Sequence, residues 1–183
     1  CFSFANGSSV EDHIDAIIRL NPKGTMTPFL FNHLTVGDDA TIYAPFGEFG
    51  LRRGDRPGIW IAGGSGLSPF LGMLEDLVEW EMTRPVHLFF GAVRPADLYY
   101  VDYFREKSAR HPWFTFTPAL SGDEHCDACS DYGLITDVVD RHVTDASGAE
   151  RYLCGSPGMI QACLDVLTWK GMPGEHVYLA RFQ

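Results

Sequence analysis

Two glycine-rich turns carry the residues of this sequence that are best suited to bind a ligand. Each follows a short apolar segment and precedes a segment of helical periodicity, whose unpaired N-terminal N–H groups attract phosphate. Either turn alone is also compatible with a purely structural strand-to-helix connection. The first lacks the third glycine of the G-x-G-x-x-G pattern, because Pro69 takes that place. The first glycine turn comprises Gly63, Gly64, Ser65 and Gly66, and the second comprises Cys154, Gly155, Ser156 and Pro157.

The elements that position these turns predict an α/β domain with a five-stranded, parallel, doubly wound sheet. Strands are expected near residues 58–62, 86–90, 114–118, 152–154 and 176–182, and helices over residues 68–80, 96–110, 135–142 and 158–170. With right-handed crossovers, the strand order reverses between the first and fourth strands. Both glycine turns then flank one crevice, which is typical of a dinucleotide site.

The preceding residues predict a different kind of structure. Residues 14–20 and 40–44 have the composition and alternation of strands, and residues 27–34 have the capping hydroxyl and early proline of a short helix. We therefore expect a β domain over residues 1–55 and the nucleotide-binding domain over residues 56–183.

Cysteines offer a second set of candidates. Cys154 is either a thiol beside a reacting ligand or a small buried apolar residue, and the sequence favours neither. Cys126 and Cys129, preceded by His125, resemble half of a zinc or redox site, but a second ligand pair is missing. Five scattered cysteines indicate reduced thiols, and no metal site is expected. A hydrolase is disfavoured, since Leu67 breaks the G-x-S-x-G pattern.

Composition excludes several classes of function. The 183 residues have a formal net charge of −10 and 45% hydrophobic residues, so the chain is expected to be globular and not to bind nucleic acid. No apolar segment is long enough to span a bilayer, and no signal peptide is evident. The sequence predicts a piece of a cytoplasmic protein with no membrane partner.

Five motifs resemble those of the ferredoxin-NADP reductase superfamily, in particular the reductase components of bacterial multicomponent oxygenases such as benzoate dioxygenase reductase and soluble methane monooxygenase reductase. The likeness covers nearly the whole chain, with the motifs in the family's order. Phe2 and Ser3 match the end of an R-x-Y-S flavin motif, Gly24, Thr25, Met26 and Thr27 match G-x-x-S/T, and residues 44–47 match G-P-x-G. The two glycine turns lie in segments that match A-G-G-T-G-x-x-P and Y-L-C-G-P-P-G-M.

The resemblance implies the C-terminal part of an antiparallel FAD-binding β-barrel followed by an NAD(P)H-binding domain. It implies hydride transfer from NADH to FAD, with electrons leaving through a 2Fe-2S cluster outside this segment to an oxygenase component. The implied partners are therefore an iron-sulfur (ferredoxin-type) domain and that oxygenase. Cys154 would lie beside the nicotinamide, Ser3 near flavin N5, and Phe182 at the family's C-terminal aromatic position.

Two features leave alternatives open. Ala180 stands where the family usually has an acidic residue, which favours a non-enzymatic nucleotide-binding or sensor module, and a stand-alone flavin reductase is a further alternative. After the second predicted strand, Arg94 suits the 2′-phosphate of NADPH while Asp97 suits the ribose hydroxyls of NADH. Acidic net charge and the resemblance favour NADH, with NADPH possible.

Overall fold

Six parallel strands form a single sheet in the computed structural model, which describes residues 2–122, 126–127, 129–171 and 174–181. The strand order is β4-β3-β2-β1-β5-β6, so the reversal lies between β1 and β5. This confirms the α/β class and the predicted reversal point, and it corrects the five predicted strands to six. The strands are β1 (Gly58–Gly63), β2 (Val86–Ala92), β3 (Phe114–Leu120), β4 (Asp131–Tyr132), β5 (Glu150–Gly155) and β6 (Val177–Arg181).

The helices follow the predicted pattern with one correction. The helix expected over residues 96–110 is divided into a 3-10 helix, Pro95–Asp97, and an α-helix that begins at Val101, because Tyr100 has a left-handed conformation with φ 58°. A second 3-10 helix, Gly64–Leu67, joins β1 to α2. The α-helices are α1 (Met26–Asn32), α2 (Ser68–Glu79), α3 (Val101–Arg110), α4 (Ile135–His142) and α5 (Pro157–Trp169).

Apolar residues on both faces of the sheet account for the doubly wound arrangement. Along β1, Trp60 and Ala62 join the core under α2 and α3, whereas Ile59 and Ile61 join the core under α4 and α5. Successive side chains of a strand point to opposite faces, so a continuous apolar run serves both cores. No helix in the described part of the chain has the length and apolar composition needed to cross a membrane.

Residues 2–57 contain α1 but no strand. The strands predicted at residues 14–20 and 40–44 are therefore not formed. A strand needs a neighbour for its backbone groups, and Ile14 and Ile42 are 47% and 62% exposed. The Ala5 N–H donates to the Asp15 carbonyl at 2.7 Å, but this hydrogen bond does not extend into a strand pair.

The N-terminal segment docks along helix α2. The Ser68 hydroxyl donates to the Ser3 carbonyl at 2.8 Å. One turn further on, Gly72 lies so close to the Asn6 carbonyl that a Cβ there would overlap it. Another turn along, the Gly7 N–H donates to Glu75 Oε2 at 2.7 Å. The segment therefore follows one face of α2 from its N-terminus, directly after the first glycine turn.

Candidate functional site

The two glycine turns lie against each other at the carboxyl edge of the sheet. A Cβ on Gly66 would overlap the carbonyl oxygen of Cys154 and lie 3.0 Å from the Gly155 nitrogen. Met159 covers the other side, where a Cβ on Gly63 would overlap its sulfur. Glycine is therefore required at Gly66 for the backbones of the two turns to meet, whereas a Cβ on Gly63 would meet only the Met159 side chain. The two turns thus lie together at the predicted reversal point.

Each turn leads into a helix whose first N–H groups face the same edge. Gly64 has φ 54°, a left-handed conformation that favours glycine, and it begins the 3-10 helix that continues into α2. Ser65 is half-buried in that 3-10 helix. On the other side, Ser156 caps α5 by accepting from the Met159 N–H at 3.4 Å, and Pro157 occupies the first helical position. Two neighbouring helix N-termini make this edge suitable for an anion.

Cys154 is fully buried in β5. It lies in register between Ala62 of β1 and Ala180 of β6, and it joins the core under α2. Burial raises the pKa of its thiol to about 12, so the sulfur carries its proton at neutral pH. Its described environment suits a shape-determining role and not that of a thiolate nucleophile. Phe182, predicted to act with it, lies outside the described residues.

The predicted flavin contacts come from two segments of the chain. Ser3, half-buried, is tied through its carbonyl to Ser68 at the start of α2, close to the first glycine turn, and its neighbour Phe2 is 40% exposed. The Gly24–Thr27 turn instead closes on Asn21. There the Thr27 hydroxyl donates to the Asn21 carbonyl at 3.1 Å and accepts from the Asn21 N–H at 2.9 Å.

Within that turn, the Gly24 N–H donates to the Asn21 carbonyl at 2.9 Å. Thr25 precedes α1 without a side-chain cap, and Met26, the first residue of α1, is 55% exposed. Among the described residues, the side-chain and backbone hydrogen bonds that close this turn join positions between Asn21 and Thr27. Among the predicted flavin contacts, Ser3 is therefore one that a hydrogen bond ties to the start of α2.

Arg94 and Asp97 form a two-point ion pair just beyond the carboxyl end of β2. Arg94 Nε donates to Asp97 Oδ2 at 2.9 Å and Arg94 Nη2 donates to Oδ1 at 3.0 Å. Hydrogen bonding from Arg94 holds the pKa of Asp97 below its ordinary value, so the carboxylate is ionised at neutral pH. The two residues that the sequence offered as competing nucleotide contacts thus engage each other.

Arg19 is a residue of this site that the sequence analysis missed. A Cβ on Gly64 would lie 3.6 Å from Arg19 Nη1, and the same guanidinium contributes to the lowered pKa of Asp97. It brings an exposed positive charge to the first glycine turn. No sequence motif marks Arg19, and only the fold brings it to a turn far along the chain.

Known proteins resemble this chain in sequence and in fold. The sequence pattern of the oxidoreductase NAD-binding domain family matches residues 60–165. The reductase component of propane 2-monooxygenase from Rhodococcus jostii (strain RHA1) is 36% identical over 189 residues, which cover 99% of this chain and 50% of that protein. The phenol 2-monooxygenase reductase component DmpP from Pseudomonas sp. (strain CF600) is 37% identical over 186 residues, covering 99% of this chain and 52% of the relative.

Solved structures show the same relationship. Amycolatopsis cytochrome P450 reductase GcoB has a TM-score of 0.90 at 31% sequence identity, covering 99% of this chain and 55% of that one. The ferredoxin reductase in carbazole 1,9a-dioxygenase has a TM-score of 0.81 at 26% identity, covering 100% and 55%. The chain spans about half the length of the curated relatives that it matches. The predicted resemblance to ferredoxin reductases and oxygenase reductase components is confirmed, and this chain belongs to the oxidoreductase NAD-binding domain family.

Proposed function

We propose that this chain is the FAD- and NADH-binding part of the reductase component of a multicomponent oxygenase. The observation that carries the proposal is the contact of Gly66 with the backbone of Cys154 and Gly155 at the reversal of strand order. This contact keeps side chains out of the crevice where open α/β sheets bind dinucleotides. The names of the relatives supply the class of enzyme system to which we assign it.

The nicotinamide nucleotide would lie across the two glycine turns. Gly64, Gly66 and Ser65 would bring backbone N–H groups to its pyrophosphate, and Arg19 would add a positive charge at the same place. Gly155, Ser156 and Pro157 would form the opposite wall at the nicotinamide end. Fully buried Cys154 would determine the shape of the surface against which the nicotinamide ring packs.

The pairing of Arg94 with Asp97 favours NADH over NADPH. A 2′-phosphate needs an arginine whose fork is directed to it, whereas the Arg94 fork is directed to Asp97. An ionised Asp97 would repel a phosphate and accept hydrogen bonds from ribose hydroxyls. In our proposal, Arg94 and Asp97 together make the site select NADH over NADPH.

FAD would be held on the N-terminal side of the crevice. Ser3 and Phe2 would contact the isoalloxazine end, the Gly24–Thr27 turn would approach the pyrophosphate, and Phe182 would be the aromatic residue from the C-terminus. Bound FAD would supply the acceptor for hydride from NADH and would release electrons singly. We assign the electron-receiving partners to a ferredoxin-type domain with a 2Fe-2S cluster and to an oxygenase component.

Gly66→Ala tests this assignment, with Gly148→Ala as the matched control because a Cβ on Gly148 meets nothing within 4 Å. NADH-dependent ferricyanide reduction would be measured on the longer protein supplied with FAD. We expect Gly66→Ala to lower kcat/KM by more than about tenfold, since small displacements at a reacting centre are costly. Gly148→Ala should stay within about twofold of wild type. Equal loss in both variants, or none in either, contradicts the assignment.

Ala180 favours a second candidate, a nucleotide-binding sensor without turnover. This residue lies beside Cys154 in the sheet register, where the family resemblance would place an acidic group nearby. The same assay separates the two functions. NADH binding by calorimetry without reduction of ferricyanide or cytochrome c would support the sensor and refute the reductase.

A further inference from the structure

The C-x-x-C segment between β3 and β4, which contains Cys126 and Cys129, has a geometry that its sequence alone did not reveal. The Cys129 N–H donates to the Cys126 carbonyl at 3.0 Å, which closes a four-residue turn. In such a turn the first and last Cα atoms lie within about 7 Å, which overlaps the separation of about 4.4 to 6.8 Å that a disulfide requires. Both thiols are unbonded to sulfur and half-exposed.

Neighbouring residues hold this turn in place. The Tyr132 hydroxyl donates to the Cys126 carbonyl at 3.0 Å and accepts from the Cys126 N–H at 3.2 Å. Directly after the turn, the Ser130 N–H donates to the Pro118 carbonyl of β3 at 3.0 Å. The turn is therefore anchored to the sheet on its C-terminal side, and its two cysteines stay near each other without help from a metal.

The two thiols also differ in chemistry. Burial, together with a hydrogen bond to Cys126, raises the pKa of the Cys129 thiol to about 12. A raised pKa makes Cys129 the weaker nucleophile, which suits an attacking Cys126 and a resolving Cys129. Among the described residues no group of three or more histidine, cysteine or acidic side chains is placed to hold a metal ion.

We propose that Cys126 and Cys129 form a reversible disulfide within the loop, with a hydroperoxide as the oxidant. The Cys126 sulfur attacks one oxygen of hydrogen peroxide, the O–O bond breaks, and one water leaves with the proton of the first thiol. Cys129 then attacks the sulfenic acid at Cys126, the S–O bond breaks, and a second water carries away the remaining proton. Two thiols are oxidised to one disulfide and one peroxide is reduced to two waters. A dithiol reduces the bond again by exchange, which exposure and the small ring favour.

Peptide mapping of the chain after exposure to hydrogen peroxide tests the proposal. Free thiols would be alkylated without prior reduction, and the peptide that contains both cysteines would be weighed. We expect this peptide to lose both alkylatable thiols, to become lighter by two hydrogens, and to recover both thiols after dithiothreitol. Full alkylation of Cys126 and Cys129 after peroxide treatment, or a bond from either to another chain, overturns it.

Single substitutions test the order of the steps. In Cys129→Ser, dimedone should label Cys126 as a trapped sulfenic acid, whereas Cys126→Ser should leave Cys129 largely unlabelled. Cys163→Ala is the control, because Cys163 is fully buried and its loss should leave formation of the loop disulfide unchanged. Loss of the loop disulfide in Cys163→Ala would show that the pairing depends on the core cysteine and would refute the intraloop bond.

Discussion

Cys154 combines a central position with an unreactive protonation state. Its thiol is fully buried, and its backbone carbonyl lies directly against Gly66. We predict that Cys154→Ala slows reduction of bound FAD by NADH by more than about tenfold while the Kd for NADH changes by less than about twofold, because loss of the sulfur alters alignment more than affinity. Stopped-flow absorbance and calorimetry measure the two quantities.

The control for Cys154 is Cys163→Ala, which removes an equally buried thiol from the opposite core. It should leave the rate of flavin reduction nearly unchanged. Because burial raises the pKa of Cys154 to about 12, the wild-type rate should also show no titration of this thiol between about pH 7 and 9. A reduction rate in Cys154→Ala within about twofold of wild type would mean that Cys154 only packs.

Selectivity between the two nicotinamide nucleotides is a second property of single residues. Asp97→Asn removes the carboxylate that engages Arg94 and the charge that opposes a 2′-phosphate. We expect the ratio of kcat/KM for NADPH to that for NADH to rise by about tenfold. Arg94→Gln in the same background should cancel this gain. A wild-type protein that uses NADPH as well as NADH would contradict the proposed selectivity.

The sequence predicted the glycine turns as site residues, but it did not predict all of the residues that lie beside them. A glycine in the sequence indicates a place where two backbones can meet, because any larger residue would overlap the facing chain. Gly66 fits against Cys154 for this reason. Arg19 carries no comparable signal. Its charge reaches Gly64 only after residues 2–57 have docked on the sheet, so its role depends on tertiary structure.

At the level of elements, the parallel strands were predictable and the N-terminal strands were not formed. Strands buried on both faces, such as β1 and β2, appear in the sequence as continuous apolar segments. They can be predicted as strands without knowing which strand lies beside them. Apolar and polar residues alternate over residues 14–20, as in a strand with one buried face. This alternation does not show whether a second strand is available to form the backbone hydrogen bonds. Edge strand β4 has two residues, too few for any periodicity.

His87 of β2 makes the stability of the sheet depend on pH. Its ring stacks on Phe89 at 3.9 Å between centroids, and its Nε2 is 2.8 Å from the Thr117 hydroxyl. Burial, with a smaller contribution from nearby His142, lowers the pKa of His87 to about 4. The neutral ring is favoured in the fold, so its contribution to stability is complete above the unfolded pKa of about 6.5 and is lost as pH falls towards 4.

We therefore predict a decline in the free energy of unfolding between about pH 6.5 and 4, by up to about 1 kcal/mol per pH unit from this residue. His87→Gln, which keeps a polar group for Thr117, should flatten that decline. His33→Gln is the control, since His33 is exposed at the end of α1. Urea unfolding at pH 7 and pH 4.5 measures the effect, and parallel pH dependences for wild type and His87→Gln would contradict it.

For the molecule as a whole, the sheet has a core on both faces, whereas the N-terminal segment that we propose to hold FAD is largely exposed. In that segment, Phe29 and Tyr43 are 50% and 79% exposed. We predict that the 183 residues expressed alone bind NADH but do not retain FAD, because an open surface leaves phosphate contacts screened by water. The desalted protein should be colourless. A yellow preparation with about one flavin per chain would contradict this prediction.

Docking of the N-terminal segment on α2 has a consequence for the exchange of modules between reductases. Ser68, Gly72 and Glu75 form a ladder at helical spacing that fixes the segment's register on the nucleotide domain. If the N-terminal segment holds FAD as we propose, a chimera joined near Pro57 would place one protein's FAD-binding segment on the α2 contacts of another. A bulkier side chain at position 72 would push that segment outward and lengthen the path for the transferred hydride. Compatible partners should therefore be chosen by matching these helix positions, and not by the junction sequence.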